Sequence, residues 1–179
     1  MHNKNLSLSH DLRKRITAIL GSIPNQYIYI TTATQSLVLM DKDLIIATYA
    51  ISTSKFGIGN REGSFKTPLG IHRIVEKIGD GAPIGTIFKD RMNTGVIWSE
   101  TMNNDDNLIL TRILRLEGLE WGINKGTSID SYARYIYIHG TNKEHCIGTP
   151  NSHGCICMKN SDIVDLYNRI SENTLVIIA

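Results

Sequence analysis

Six soft or borderline metal ligands fall within nineteen positions: His139, His145, Cys146, His153, Cys155 and Cys157. Among them, "SHGCICM", residues 152 to 158, sets a histidine and a glycine directly before a cysteine. A cysteine nucleophile needs a base that makes or holds its thiolate, a group that orients the base, and N–H donors for a developing oxyanion. Cys155 has neighbours suited to this chemistry. His139 ends the run "YIYIH", where a strand would hold it rigidly. It lies 16 residues before Cys155, enough chain to leave a strand, turn and return. His153 is two residues away and shares a side with Cys155 in extended backbone. Gly154 permits close approach of a ligand and unusual torsions, which favours backbone N–H groups aimed at a carbonyl oxygen. A neighbouring imidazolium would lower the thiol's pKa and make it reactive.

A metal site is the main rival. Zinc accepts four nitrogen or sulfur ligands, usually with two to four residues between members of a pair. The chain has no C-x-x-C, and His153, Cys155 and Cys157 fall on a line when extended, so the thiol reading ranks first and no cofactor is called for. The three cysteines are odd in number and all lie in one stretch, which is not a disulfide framework. For Cys146 and Cys157 the role of a small buried hydrophobe stays open. His72, inside an apparent strand, reads as structural.

The elements that must position these residues are mostly strands. "YIYITT" (27 to 32), "SLVLM" (36 to 40) and "LIIATYAIST" (44 to 53) are β-branched or aromatic runs, the last two separated by "DKD". "GIGNREGSFKTPLG" (57 to 70) reads as a long loop of the kind that carries function. "IHRIVEKIG", "LILTRILRL" (108 to 116), "YIYIH" (135 to 139) and "TLVIIA" complete the strands. Residues 79 to 107 are rich in Gly and Asn and read as turns. Ser161 is the expected N-cap of a helix over "SDIVDLYNRI", with Ile163, Leu166 and Ile170 on one face. Near the N-terminus, Leu12, Ile16, Ile19 and Leu20 recur at helical spacing, which predicts an amphipathic helix docked on the domain. The fold class is mostly β with a few helices.

Composition narrows the classes. The 179 residues suit one domain with a short appendage. A net charge of +2 with scattered bases gives no case for nucleic acid. No apolar run reaches the ~18 residues that suggest a membrane span. "ITAILGSI" is short, starts late and lacks a clear cleavage site for a signal peptide.

"IHGT", a short loop and then "SHGCICM" together resemble the catalytic motif of the YkuD-type L,D-transpeptidases. "ISTSKFGIGNREGSFKTPLGIHRI" is similar to that family's upstream segment, and "QSLVLMDKDLIIATYAIST" to its opening hairpin. The resemblance spans residues 25 to 179 and leaves 1 to 24 as a helical extension. It implies a β-sandwich-like fold and acyl transfer on peptidoglycan tetrapeptide stems, with release of D-alanine through a thioester. Alternatives are a carboxypeptidase on the same stem and a wall-binding module without catalysis. In this resemblance Cys155 matches the nucleophile and His139 the general base, oriented by the carbonyl of Gly140. Ser152 and His153 bracket the thiol, and the amides of His153, Gly154 and Cys155 form the oxyanion hole. Ser64, Lys66 and Thr67 are candidates to contact the donor stem. Many members carry Arg, and others Asn, where this chain has Cys157. Arg134 or Arg112 is the expected source of a compensating charge. The family role implies the periplasm or cell wall, whereas the N-terminus carries no clear export signal, so the sequence leaves location open.

Overall fold

The computed structural model describes residues 7–102 and 106–179. Residues 1–6 of the expected extension and 103–105 of the expected turns lie outside them. The chain forms α1 (His10–Leu20), β1 (Gln26–Thr31), β2 (Ser36–Asp41), β3 (Leu44–Ser52), β4 (Gly70–Ile78), β5 (Thr86–Lys89), β6 (Met92–Ile97), β7 (Ile109–Gly118), β8 (Tyr137–Gly140), β9 (Ile156–Met158), α2 (Asn160–Arg169) and β10 (Leu175–Ile178). The fold is mostly β.

The ten strands form one sheet in the order β4-β10-β1-β2-β3-β9-β8-β7-β5-β6, and β4 also pairs with β7. That extra pairing closes all strands but β5 and β6 into a ring, with the β5–β6 hairpin hanging from β7. One core fills the ring: Ile28 and Ile30 of β1, Leu37 and Leu39 of β2, Ile138 of β8 and Ile156 of β9, joined by Ile163, Leu166 and Tyr167 of α2. A second core gathers the opposite faces of β1, β2 and β10 under α1, through Leu8, Ile16, Tyr27, Met40, Leu175 and Ile177. Burial on both faces explains why these strands read as near-continuous apolar runs.

Local chemistry accounts for the differences from sequence expectation. β5 and β6 arise within the Gly- and Asn-rich stretch. All six residues of β6 are exposed, so no burial pattern marks the strand. Asp90 and Arg91, with φ of 49° and 68°, make the tight two-residue turn between them. "YIYIH" becomes a strand only from Tyr137, because Tyr135 (φ 56°) closes a turn with its N–H donated to Tyr132 O at 3.1 Å. Ser161 lies inside α2 rather than capping it. Lys159 is the N-cap, and Glu144 Oε1 accepts from Asn160 N at 2.6 Å, doing from a distance what a capping side chain does locally. In α1 the apolar contacts come from Ile16 and, more weakly, Leu12, while Ile19 and Leu20 are exposed. Arg15 ties the helix down through Nε to Glu120 Oε1 at 2.9 Å, and Glu120 Oε2 also accepts from Ile71 N at 2.7 Å. No helix of the described residues is long and apolar enough to cross a membrane.

Candidate active site

Cys155 sits one residue before β9, at the end of a turn built by short polar side chains. Ser152 is buried; its Oγ accepts from Gly154 N at 3.2 Å and donates to Cys155 O at 2.5 Å. Gly154 has φ 124°, a conformation that side-chain-bearing residues rarely adopt, so glycine is required by the backbone rather than by crowding. Thr67 Oγ1 locks the turn from the long loop, donating to Gly154 O at 3.0 Å and accepting from Ser54 N at 2.9 Å. The half-buried Cys155 packs against the cluster of Phe88, Ile113 and Tyr137, and its thiol donates to Tyr135 O at 3.5 Å.

His139 lies in β8 with Ile113 of β7 on one side and Cys157 of β9 on the other. Nδ1 is 2.7 Å from Gly140 O. A carbonyl only accepts, so Nδ1 carries the proton and Nε2 keeps a lone pair. Nε2 is 3.9 Å from Cys157 Sγ. A Cβ on Gly140 would strike Asn160 Oδ1 and Leu110 O, so glycine lets α2 and β7 close on the site. Asn160 braces the following turn, donating from Nδ2 to Thr141 O at 2.9 Å and to Glu144 Oε1 at 2.7 Å.

Burial sets the protonation of this group. It pushes His139 down to about 4, against the opposing effect of the Gly140 bond. It pushes Cys155 up to about 11, opposed by a backbone bond from Tyr137 and by the charge of Arg134. Cys157 rises to about 12 for the same first reason. These shifts favour thiols and a neutral imidazole at neutral pH, where the sequence suggested an imidazolium beside a thiolate.

A family model of the YkuD L,D-transpeptidase catalytic domain matches residues 25–178. The chain belongs to this L,D-transpeptidase catalytic domain family. Solved structures agree on the fold. An L,D-transpeptidase from Mycobacterium smegmatis aligns with a TM-score of 0.52 at 16% identity, over 88% of this chain and 60% of that one. L,D-transpeptidase 3 from Mycobacterium tuberculosis, in complex with a faropenem-derived adduct, gives 0.53 at 14%, over 88% and 61%. A mutant of the Enterococcus faecium L,D-transpeptidase gives 0.53 at 15%, over 88% and 50%. This chain thus spans half to three-fifths of the length of those structures. No curated protein sequence matches it.

The L,D-transpeptidase domain engages most of its expected substrate-contacting residues internally. Thr67 is fully buried in the lock on Gly154. Ser64 Oγ donates to Arg61 O and accepts from Lys66 N within its own turn. Arg134 straps the long loop, its guanidinium donating to Gly59 O, Asn60 O and Lys66 O at 3.3, 2.9 and 2.6 Å. Arg112 donates to Ala82 O and Thr111 O. Cys157 is buried, with Asn107 Nδ2 3.7 Å from its sulfur. His153 is exposed and packs tilted against Phe56 and edge-on to Phe65, ring centroids 5.5 and 6.1 Å apart. An open groove of about 220 Å³ runs past it, lined by Glu62, Phe65, Arg134, Tyr135 and Ile136. His145 and Cys146 stand on a short turn (Glu144–Cys146), and among the described residues no three His, Cys, Asp or Glu side chains are placed to share a metal ion. Sequence reasoning missed Asn107, Asn160, Tyr137 and Arg91. The signal available for Asn160 was the cluster of turn-forming residues before α2; the others are brought in by contacts between segments distant in sequence.

Proposed function

We propose that the domain transfers an acyl group from a peptidoglycan tetrapeptide stem to an amine, with Cys155 as nucleophile and His139 as base. The observation that carries this is the half-buried thiol at the end of a locked turn, two residues before the Cys157 that pairs across the strands with His139, whose Nδ1–H is fixed on Gly140 O. Residues 25–179 would be the catalytic unit and 1–24 an extension, of which α1 docks on it.

The chemistry follows from the resting protonation. The Cys155 thiol turns from Tyr135 O towards His139, and its proton passes to Nε2 as sulfur attacks the carbonyl between the diamino acid and the terminal D-alanine. Gly154 N–H is engaged by Ser152, which leaves the amides of His153 and Cys155 to receive the oxyanion. The C–N bond breaks, the imidazolium returns its proton to the leaving D-alanine nitrogen, and a thioester remains. An incoming amine gives its proton to His139 and attacks the thioester; the C–S bond breaks and sulfur regains the proton. If water enters instead, the product is the shortened stem.

The test is mass spectrometry of a disaccharide-tetrapeptide incubated with the protein and a free D-amino acid. Wild type should yield the exchanged stem, Cys155→Ala and His139→Ala should yield none, and Cys157→Ala should lose only a few-fold. Bare loss of D-alanine would make the domain a carboxypeptidase. Turnover by Cys155→Ala would overturn the assignment.

A further inference from the structure

We infer that Arg91 reads the C-terminal carboxylate of the donor stem and so determines which stems are accepted; this rests on the proposed acyl transfer. Arg91 is at the tip of the β5–β6 hairpin, in contact with two tyrosines. Its Nη1 donates to Tyr137 OH at 3.2 Å, and its Cζ lies 5.2 Å from the centroid of the Tyr135 ring. Both residues belong to the site. Tyr137 packs with Cys155, while Tyr135 accepts the thiol proton on its carbonyl and lines the groove.

Two other arginines near the site are committed. Arg134 is folded into the long loop by three carbonyls. Arg115 pairs with Glu76 at 3.0 Å and stacks 3.5 Å above Tyr132. Cys157, on the strand beside His139, is a neutral thiol. Arg91 is partly exposed and forms no ion pair among the described residues, so its fork keeps donors for a ligand. A planar guanidinium matches a carboxylate two bonds at a time. Its backbone adds a second reason. A bulky side chain at φ 68° in the second position of a tight hairpin is unfavourable where glycine is preferred, and strain of this kind is kept where the side chain is needed. The substrate chemistry supplies the complement: the leaving D-alanine bears its carboxylate one residue beyond the carbonyl that Cys155 attacks.

Binding to the Cys155→Ala protein tests this without turnover. A tetrapeptide stem ending in a free carboxylate should bind about tenfold more tightly than the same stem ending in an amide, the effect of one charge-assisted contact. Arg91→Gln in that background should bring the two within about twofold, and Arg91→Lys should keep part of the preference. Lys89→Gln removes the same charge from the same hairpin and should leave the preference intact. Equal binding of acid and amide by the parent, or a preference that survives Arg91→Gln or is lost equally with Lys89→Gln, would overturn the inference. Absence of product from wild type in the exchange assay would instead overturn the proposed function, whatever the binding results.

Discussion

Burial removes the charge from both Cys155 and His139, and the reactivity of the thiol follows. A thiol raised to about 11 is almost wholly protonated at pH 7, whereas an ordinary cysteine at ~8.5 is a few per cent thiolate. Iodoacetamide should therefore alkylate Cys155 at pH 7 at least ~10-fold more slowly than free cysteine, with the rate climbing through pH 9 and above. Fragment-ion mapping separates the label on Cys155 from that on Cys157. A rate already at its plateau near neutral pH would mean a resting thiolate and imidazolium. Spacing and resemblance made Cys155, His139 and Gly140 the candidates in the sequence. Their charge state was not legible, because it depends on how deeply the folded sheet encloses them. Arg91 was not legible either: its contact with Tyr137 joins positions 46 apart through a hairpin that has no burial pattern.

The site depends on two elements meeting, the long loop and the turn before β9. Thr67 Oγ1 is the joint, bonded to Ser54 N and Gly154 O with no access to solvent. Thr67→Val keeps the shape and removes the hydroxyl, leaving two buried backbone groups without that partner. The expected loss is about 2 kcal/mol of stability, which lowers Tm by about 4–8 °C. Turnover at 25 °C, where the variant remains folded, should fall by about tenfold or more, because the Cys155 turn loses its register against the loop. Retained turnover with a lowered Tm would show that the joint serves stability alone. The sequence marks the long loop as functional by its length and glycine content. It does not reveal that Thr67 and Arg134 hold the loop, since their partners are backbone groups that any sequence supplies.

At the scale of the whole molecule, closure of the strand ring carries a pH dependence. β4 makes the closing pairs with β7 and β10, and His72 of β4 is fully buried at that seam. Its Nδ1–H donates to Gly70 O at 3.0 Å, and Nε2 accepts from Ser131 Oγ at 2.9 Å. Burial pushes its pKa from the ordinary 6.5 down to about 4; the Gly70 bond opposes the shift and the charge of Arg134 adds to it. His139 is lowered the same way. Between pH 6.5 and 4 the unfolded chain binds protons that the folded chain refuses, so stability is full above 6.5 and falls as pH drops towards 4. Each histidine contributes up to about 3 kcal/mol to that fall. Urea denaturation at pH 7 and pH 5 should show a lower midpoint at pH 5 with an unchanged slope. His72→Gln should be less stable at pH 7 yet lose less between the two values, because one of the two linked protons is gone. If His72→Gln loses as much stability as wild type between pH 7 and 5, the acid sensitivity belongs to other groups and the seam at β4 is not its source.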